Sequence, residues 1–116
     1  MTSISEVESF LREYKYKMGF AGIFFRDDRG KNQQALFDLE ISPTRRKEII
    51  ANLKPEDYCD GPIEERLHGI LPMWIFGKEV KQNEVYIKLS MGILNGKAVC
   101  LSFHVAEHPL IYPFKK

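Results

Sequence analysis

The sequence predicts an α+β domain, with N-terminal helices packed on one face of a C-terminal antiparallel sheet. Two observations carry this. Before residue 54 the apolar residues recur at spacings of three and four, and after Pro72 they alternate, the strand period. The chain is 116 residues long and 44% hydrophobic, which is room for one core and one domain over 1–116.

The first helix buries a stripe of Val7, Phe10, Leu11, Tyr14 and Met18. Ser5 and Glu8 fit a capping box, and Gly19 suits the left-handed residue that ends a helix. Residues 20–25 read as a short strand or extended piece, closed by the turn formers Asp27-Asp28-Arg29-Gly30. A second helix over 32–39 turns Leu36 and Leu39 inward. Ser42 as N-cap and Pro43 at the first helical position start a third, which runs to about Leu53. It buries Ile49, Ile50 and Leu53 and exposes Arg45, Arg46 and Lys47. In 54–72, Pro55, Gly61, Pro62, Gly69 and Pro72 break all periodicity, so a surface loop with room for one helical turn is expected. Strands over 73–80, 84–91 and 97–105 form a three-stranded meander, with room for one short extra strand. The tail, 108–116, holds Pro109 and Pro113 and is expected to lie extended across the domain.

Seventeen basic and sixteen acidic side chains leave a net charge of +1, so nucleic-acid binding must rest on a local patch. No apolar run approaches the roughly 20 residues of a membrane span, and the first six residues lack the features of a secretory signal. Cys59 and Cys100 give no disulfide framework; a reduced, cytoplasmic chain is the expectation.

Alternation brings chemistry together on the sheet. In the second strand Val85, Ile87, Leu89 and Met91 point one way, and Glu84, Tyr86, Lys88 and Ser90 the other. In the third, Val99, Leu101, Phe103 and Val105 oppose Cys100, Ser102 and His104. Both apolar sets must face one core. A two-residue turn at Asn95-Gly96 would set Leu89 against Ser102 and mix the faces. A three-residue loop, 94–96 with Gly96 left-handed, pairs Ile93 with Lys97, Lys88 with Ser102 and Tyr86 with His104, Cβ atoms about 5 Å apart. A loop over 81–83 places Lys78 beside Tyr86. One face then presents Lys78, Tyr86, Lys88, Ser102 and His104, with Trp74 and Phe76 at its far end. Histidine and tyrosine can move protons, and lysines can hold a phosphate. A solvated sheet face of the same composition is the plain alternative.

Other signals point less far. His104-Val105-Ala106-Glu107-His108 spells the inverted zinc-protease pattern, but it starts in a strand and runs into Pro109, where the required helix is disfavoured. Cys100 and His104, four residues apart on a strand, lie about 13 Å from each other, too far to act together. Cys59 sits among acidic residues that disfavour its thiolate. Trp74 and Phe76 suit either base stacking or the core. Arg45-Arg46-Lys47 suits either a phosphate backbone or acidic partner, or a solvated helix face.

The chain resembles the MqsR family of bacterial toxin–antitoxin toxins, within the RelE-like superfamily. The likeness is carried by Glu6-Val7-Glu8-Ser9-Phe10-Leu11, by Ala35-Leu36-Phe37-Asp38-Leu39 through Glu48-Ile49-Ile50-Ala51-Asn52-Leu53, by Asp57-Tyr58, by Glu84-Val85-Tyr86-Ile87-Lys88 and by Leu101-Ser102-Phe103-His104. The resemblance implies a RelE-like fold and an endoribonuclease cleaving mRNA without metal or cofactor, on or off the ribosome, neutralised by a cognate antitoxin. It assigns the catalytic tyrosine to Tyr86 and puts His104 where the family has a lysine. Lys88 and Lys78 would hold the scissile phosphate, with Ser102, Arg45, Arg46 and Trp74 as RNA contacts. A family lysine falls near Asp60 and a family glutamine on Ile75, so two positions have lost their chemistry. The rival expectation is a non-catalytic protein-interaction module that keeps the fold.

Overall fold

A computed structural model describes residues 1–67 and 69–116, Arg29 by its backbone only. Of three helices, α1 (Ile4–Ala21) and α3 (Pro43–Ala51) pack on one face of a five-stranded sheet, and α2 (Lys31–Asp38) meets it at the edge of its last strand. The strands are β1 (Ile23–Phe25), β2 (Tyr58–Ile63), β3 (Met73–Val80), β4 (Asn83–Ser90) and β5 (Ala98–Val105), in the order β1-β5-β4-β3-β2. The pair β1–β5 is parallel and the other pairs antiparallel, so the sheet is mixed. Among the described residues no helix is long and apolar enough to cross a membrane.

The core lies between the two layers. Val7, Phe10, Leu11 and Tyr14 of α1, with Ile49, Ile50 and Leu53 at α3, pack on Phe76, Val85, Ile87, Leu89 and Phe103. Leu39 is buried and Leu36 half-buried. The first helix begins earlier and ends later than its stripe predicts: the capping box is Ser3 with Glu6, and the chain leaves the helix at Gly22. Ser42 caps α3 as expected, accepting from the Arg45 N–H.

The sheet departs from the sequence reading: it has five strands with β1 parallel to β5, where an antiparallel three-stranded meander with room for one short extra strand is expected. Within 54–72, Tyr58–Ile63 forms β2 after a single 3-10 turn at Pro55–Asp57, pairing with β3 through an irregular register. Gly61 makes this possible: a Cβ there would stand 2.7 Å from the Met73 carbonyl. Arg46, expected on the solvated face of α3, is 4% exposed. Its guanidinium lies 3.5 Å above the Phe25 ring and grips both Asp27 oxygens at 3.0 and 3.1 Å, binding α3 to the turn after β1. The partner is 19 residues upstream, beyond any local pattern.

A β-bulge dominates β5. Tyr86 pairs with His104 and Lys88 with Ser102, but Leu89 then pairs with Cys100 and Ser90 with Val99. The extra residue at Leu101 reverses the parity of the strand. Cys100 and Ala98 therefore join Phe103 in the core, while Val99 and Leu101, expected there, lie on the other face and Val105 is exposed. Asn32 of α2 holds the outer edge of the bulge. Its amide donates to the carbonyls of Arg26 (2.8 Å) and Leu101 (3.2 Å), and its oxygen accepts the Phe103 N–H (2.9 Å). Beyond the bulge the Ile93–Lys97 pair does not form. A turn closes from the Gly96 N–H to the Ile93 carbonyl, with Asn95 rather than Gly96 left-handed.

Asn32→Ala leaves buried backbone groups of β5 unpaired and should cost about 2 kcal/mol in urea denaturation. Burial pushes the Cys100 thiol from 9.0 up to about 12 and the Tyr14 phenol well above its usual 10.0. Groups with raised folded values contribute in full below their unfolded values and lose that contribution as pH rises through the folded ones. The melting temperature should therefore fall between pH 9 and 12, less steeply in Cys100→Ala.

Candidate functional site

The face of the sheet away from the helices carries the polar cluster. Tyr86 and His104, directly paired on β4 and β5, stack with ring centroids 5.4 Å apart and planes 21° from parallel. Lys88 and Ser102 form the next pair along, and the Lys88 ammonium stands 5.9 Å from the Tyr86 ring. His104 Nδ1 lies 3.0 Å from the Val105 carbonyl. A carbonyl only accepts, so this bond requires the proton on Nδ1 and leaves Nε2 as the basic nitrogen of the neutral ring. Tyr86 is half-buried; burial, then the nearby Asp60 and Cys59, raise its phenol above the usual 10.0 and keep it protonated at neutral pH. Among the described residues nothing hydrogen-bonds the Tyr86 hydroxyl, the Lys88 ammonium or the Ser102 hydroxyl.

The C-terminal tail walls this cluster. After β5 the chain is tied to α2 by a 2.8 Å ion pair between Glu107 and Lys31, which holds the Glu107 carboxyl below the usual range. Leu110 N–H and the Tyr112 hydroxyl then donate to the two oxygens of Glu84, at 3.1 and 2.8 Å. Phe114 reaches the Tyr58 ring, 5.5 Å between centroids. Tyr112 and Leu110 occupy the space above Gly77, opposite Tyr86 in the register. The groove left between tail and sheet encloses about 350 Å³ and is lined by Tyr86, Lys88, Ser102, His104, Glu107, His108 and Leu110. The tail crosses the domain as the sequence implies. Its part in the site has one signal in the sequence, a glycine in mid-strand, which marks such a close approach.

Other expected members are elsewhere. The β3–β4 hairpin turns on two residues, Lys81 and Gln82, both with positive φ, so Lys78 pairs with Val85 rather than Tyr86. Lys78 therefore projects from the helix-covered side, where its ammonium lies 3.3 and 3.4 Å from the Asp57 oxygens. Trp74 and Phe76 are also on that side. Trp74 stacks on Phe10 at 4.5 Å and Phe76 is fully buried, the core alternative of the two. Arg45 is exposed on α3, in the helix layer, and pairs with Glu48 at 3.5 Å; Arg46 is committed to Asp27. Asp60 and Ile75 pair across β2 and β3 on the open face. Burial and the carboxylates of Glu84, Asp57 and Asp60 push the Cys59 thiol up to about 12. Among the described residues no group of histidine, cysteine and carboxylate side chains could hold a metal, and His104 is in a strand. Comparison with protein-family models, with curated proteins and with solved structures gives no match.

Gly77→Ala places a methyl against the Tyr112 hydroxyl and 2.6 Å from Leu110 Cδ1, atoms that can move when the backbone cannot. The expected outcome is a displaced tail on an intact sheet, seen as faster hydrogen exchange at Leu110 and faster proteolysis after residue 106, with β4–β5 protection unchanged.

Proposed function

We propose that this chain is a metal-independent endoribonuclease, an mRNA-cleaving toxin of the MqsR type with a RelE-like variant of the α+β fold, acting in the cytoplasm and held in check by an antitoxin. One observation carries the reading. A tyrosine and a histidine, whose hydroxyl and Nε2 have no partner among the described residues, stack beside a lysine in a groove open to solvent.

The chemistry follows from which atoms face the groove. His104 takes the 2′-hydroxyl proton on Nε2, and O2′ attacks the adjacent phosphorus. The P–O5′ bond breaks as the Tyr86 hydroxyl gives its proton to the departing O5′, leaving a 2′,3′-cyclic phosphate and a 5′-hydroxyl. Lys88 stabilises the charge that gathers on the phosphoryl oxygens, and Ser102 can donate to one of them. Exchange with water returns the proton from His104 to Tyr86. Lys78, across the sheet, takes no part.

A specific observation favours the second reading, an interaction module without catalysis. Asp60 and Ile75 stand where the resemblance places a lysine and a glutamine, and Asp60 and Glu84 bring negative charge to the same face.

The test is cleavage of single-stranded RNA at low salt, where phosphate contacts are least screened. Tyr86→Phe and His104→Ala should each slow cleavage about 10²–10⁴-fold, Lys78→Met should leave it within about two-fold, and a chelator should not change it. Induced expression should arrest growth in a Tyr86-dependent way. Wild-type protein that neither cleaves RNA nor arrests growth belongs to the interaction module instead.

A further inference from the structure

A second groove lies on the same face of the sheet. Because the bulge turns Val99 and Leu101 out of the core, they meet Phe24, their neighbour across β1–β5, and Ile93 of the β4–β5 connection. The groove encloses about 520 Å³, within the size of small-ligand sites. Phe24 is 51% and Ile93 55% exposed, so large apolar surfaces face solvent here. Its rim is cationic. Lys97 is exposed without a partner among the described residues, and Arg26 contributes a guanidinium engaged through Nε with Asp28, which lies outside the lining.

The two grooves are neighbours along β5, Leu101 lining one and Ser102 the other. Phe24, Val99 and Ser90 form one row across the sheet, Ser102 and Lys88 the next, and His104 and Tyr86 the one after. Rows are two residues apart on each strand, about 7 Å, apart from the bulge. The aromatic groove is thus about two nucleotides away from the Tyr86–His104 pair, with the row of Lys88 and Ser102 between them.

We infer that this groove is a nucleobase subsite for single-stranded RNA, in which a base stacks on Phe24 against Val99 and Leu101 while Lys97 holds its phosphate. The inference rests on the RNA reading of the Tyr86–His104 groove and adds where the neighbouring base is bound. Stacking on an aromatic ring is tolerant of base identity, and the Lys97 ammonium at the rim is complementary to a phosphate.

Fluorescence anisotropy with 2′-O-methyl oligouridylates, which cannot be cleaved, tests it at low salt. Wild type should bind a pentamer far more tightly than a dimer. Phe24→Ser, a change at an exposed position, should weaken the pentamer about ten-fold and leave the dimer unchanged. Lys97→Gln should lower the salt slope of pentamer binding by about one. Pentamer affinity unchanged in both variants overturns the subsite, even if unblocked RNA is still cleaved. Phe24-dependent binding without any cleavage of unblocked RNA upholds it and removes the nuclease. Absence of RNA binding, with self-association that Phe24→Ser abolishes, assigns the groove to a protein and overturns the proposal.

Discussion

One extra residue in β5 organises this molecule. Were β5 regular, Cys100 would share a face with Ser102 and His104, and Val99 and Leu101 would fill the core. The bulge at Leu101 lets Cys100 and Phe103 face the helices together while Ser102 and His104 face away. It leaves Leu101 and Phe103 with backbone groups that β1 cannot reach, since β1 pairs only as far as Cys100. Asn32 takes over there, so α2 serves as the continuation of a strand that is too short.

The polar face is open only in part. At one end the Leu71 carbonyl accepts from Ser90, and Lys17 of α1 reaches across to the Met91 and Ile93 carbonyls, fixing the connection beside it. At the other end the tail is fastened to Glu84. What stays uncovered is the strip between, where Lys88, Ser102 and His104 sit. Of the carboxylates beside this strip, Glu84 accepts from the tail and Glu107 pairs with Lys31.

The helices, the three long strands and the Tyr86–His104 pairing are readable from the sequence because each rests on a period repeated over several residues. The pairing comes out correctly although the loop used to derive it does not form: the register holds from Val85 to Lys88 and slips by one only beyond, in the bulge. Lys78 is misplaced because Lys81 and Gln82 are not residue types that announce a two-residue turn. The β2 strand is hidden by Gly61 and Pro62, which the sheet tolerates at its edge. Arg46 and Asn32 look like surface residues, and only their partners far along the chain show otherwise.

The parallel pairing of Ile23–Phe25 with Ala98–Cys100 joins segments separated by most of the polypeptide. That edge cannot close until nearly the whole chain is present, and Phe24 and Val99 become neighbours only then. Folding must proceed largely through contacts between distant segments, which makes it slow compared with a helical protein of equal size. During that interval β5 offers an unfinished border to any strand that arrives first, including one from another copy of the chain.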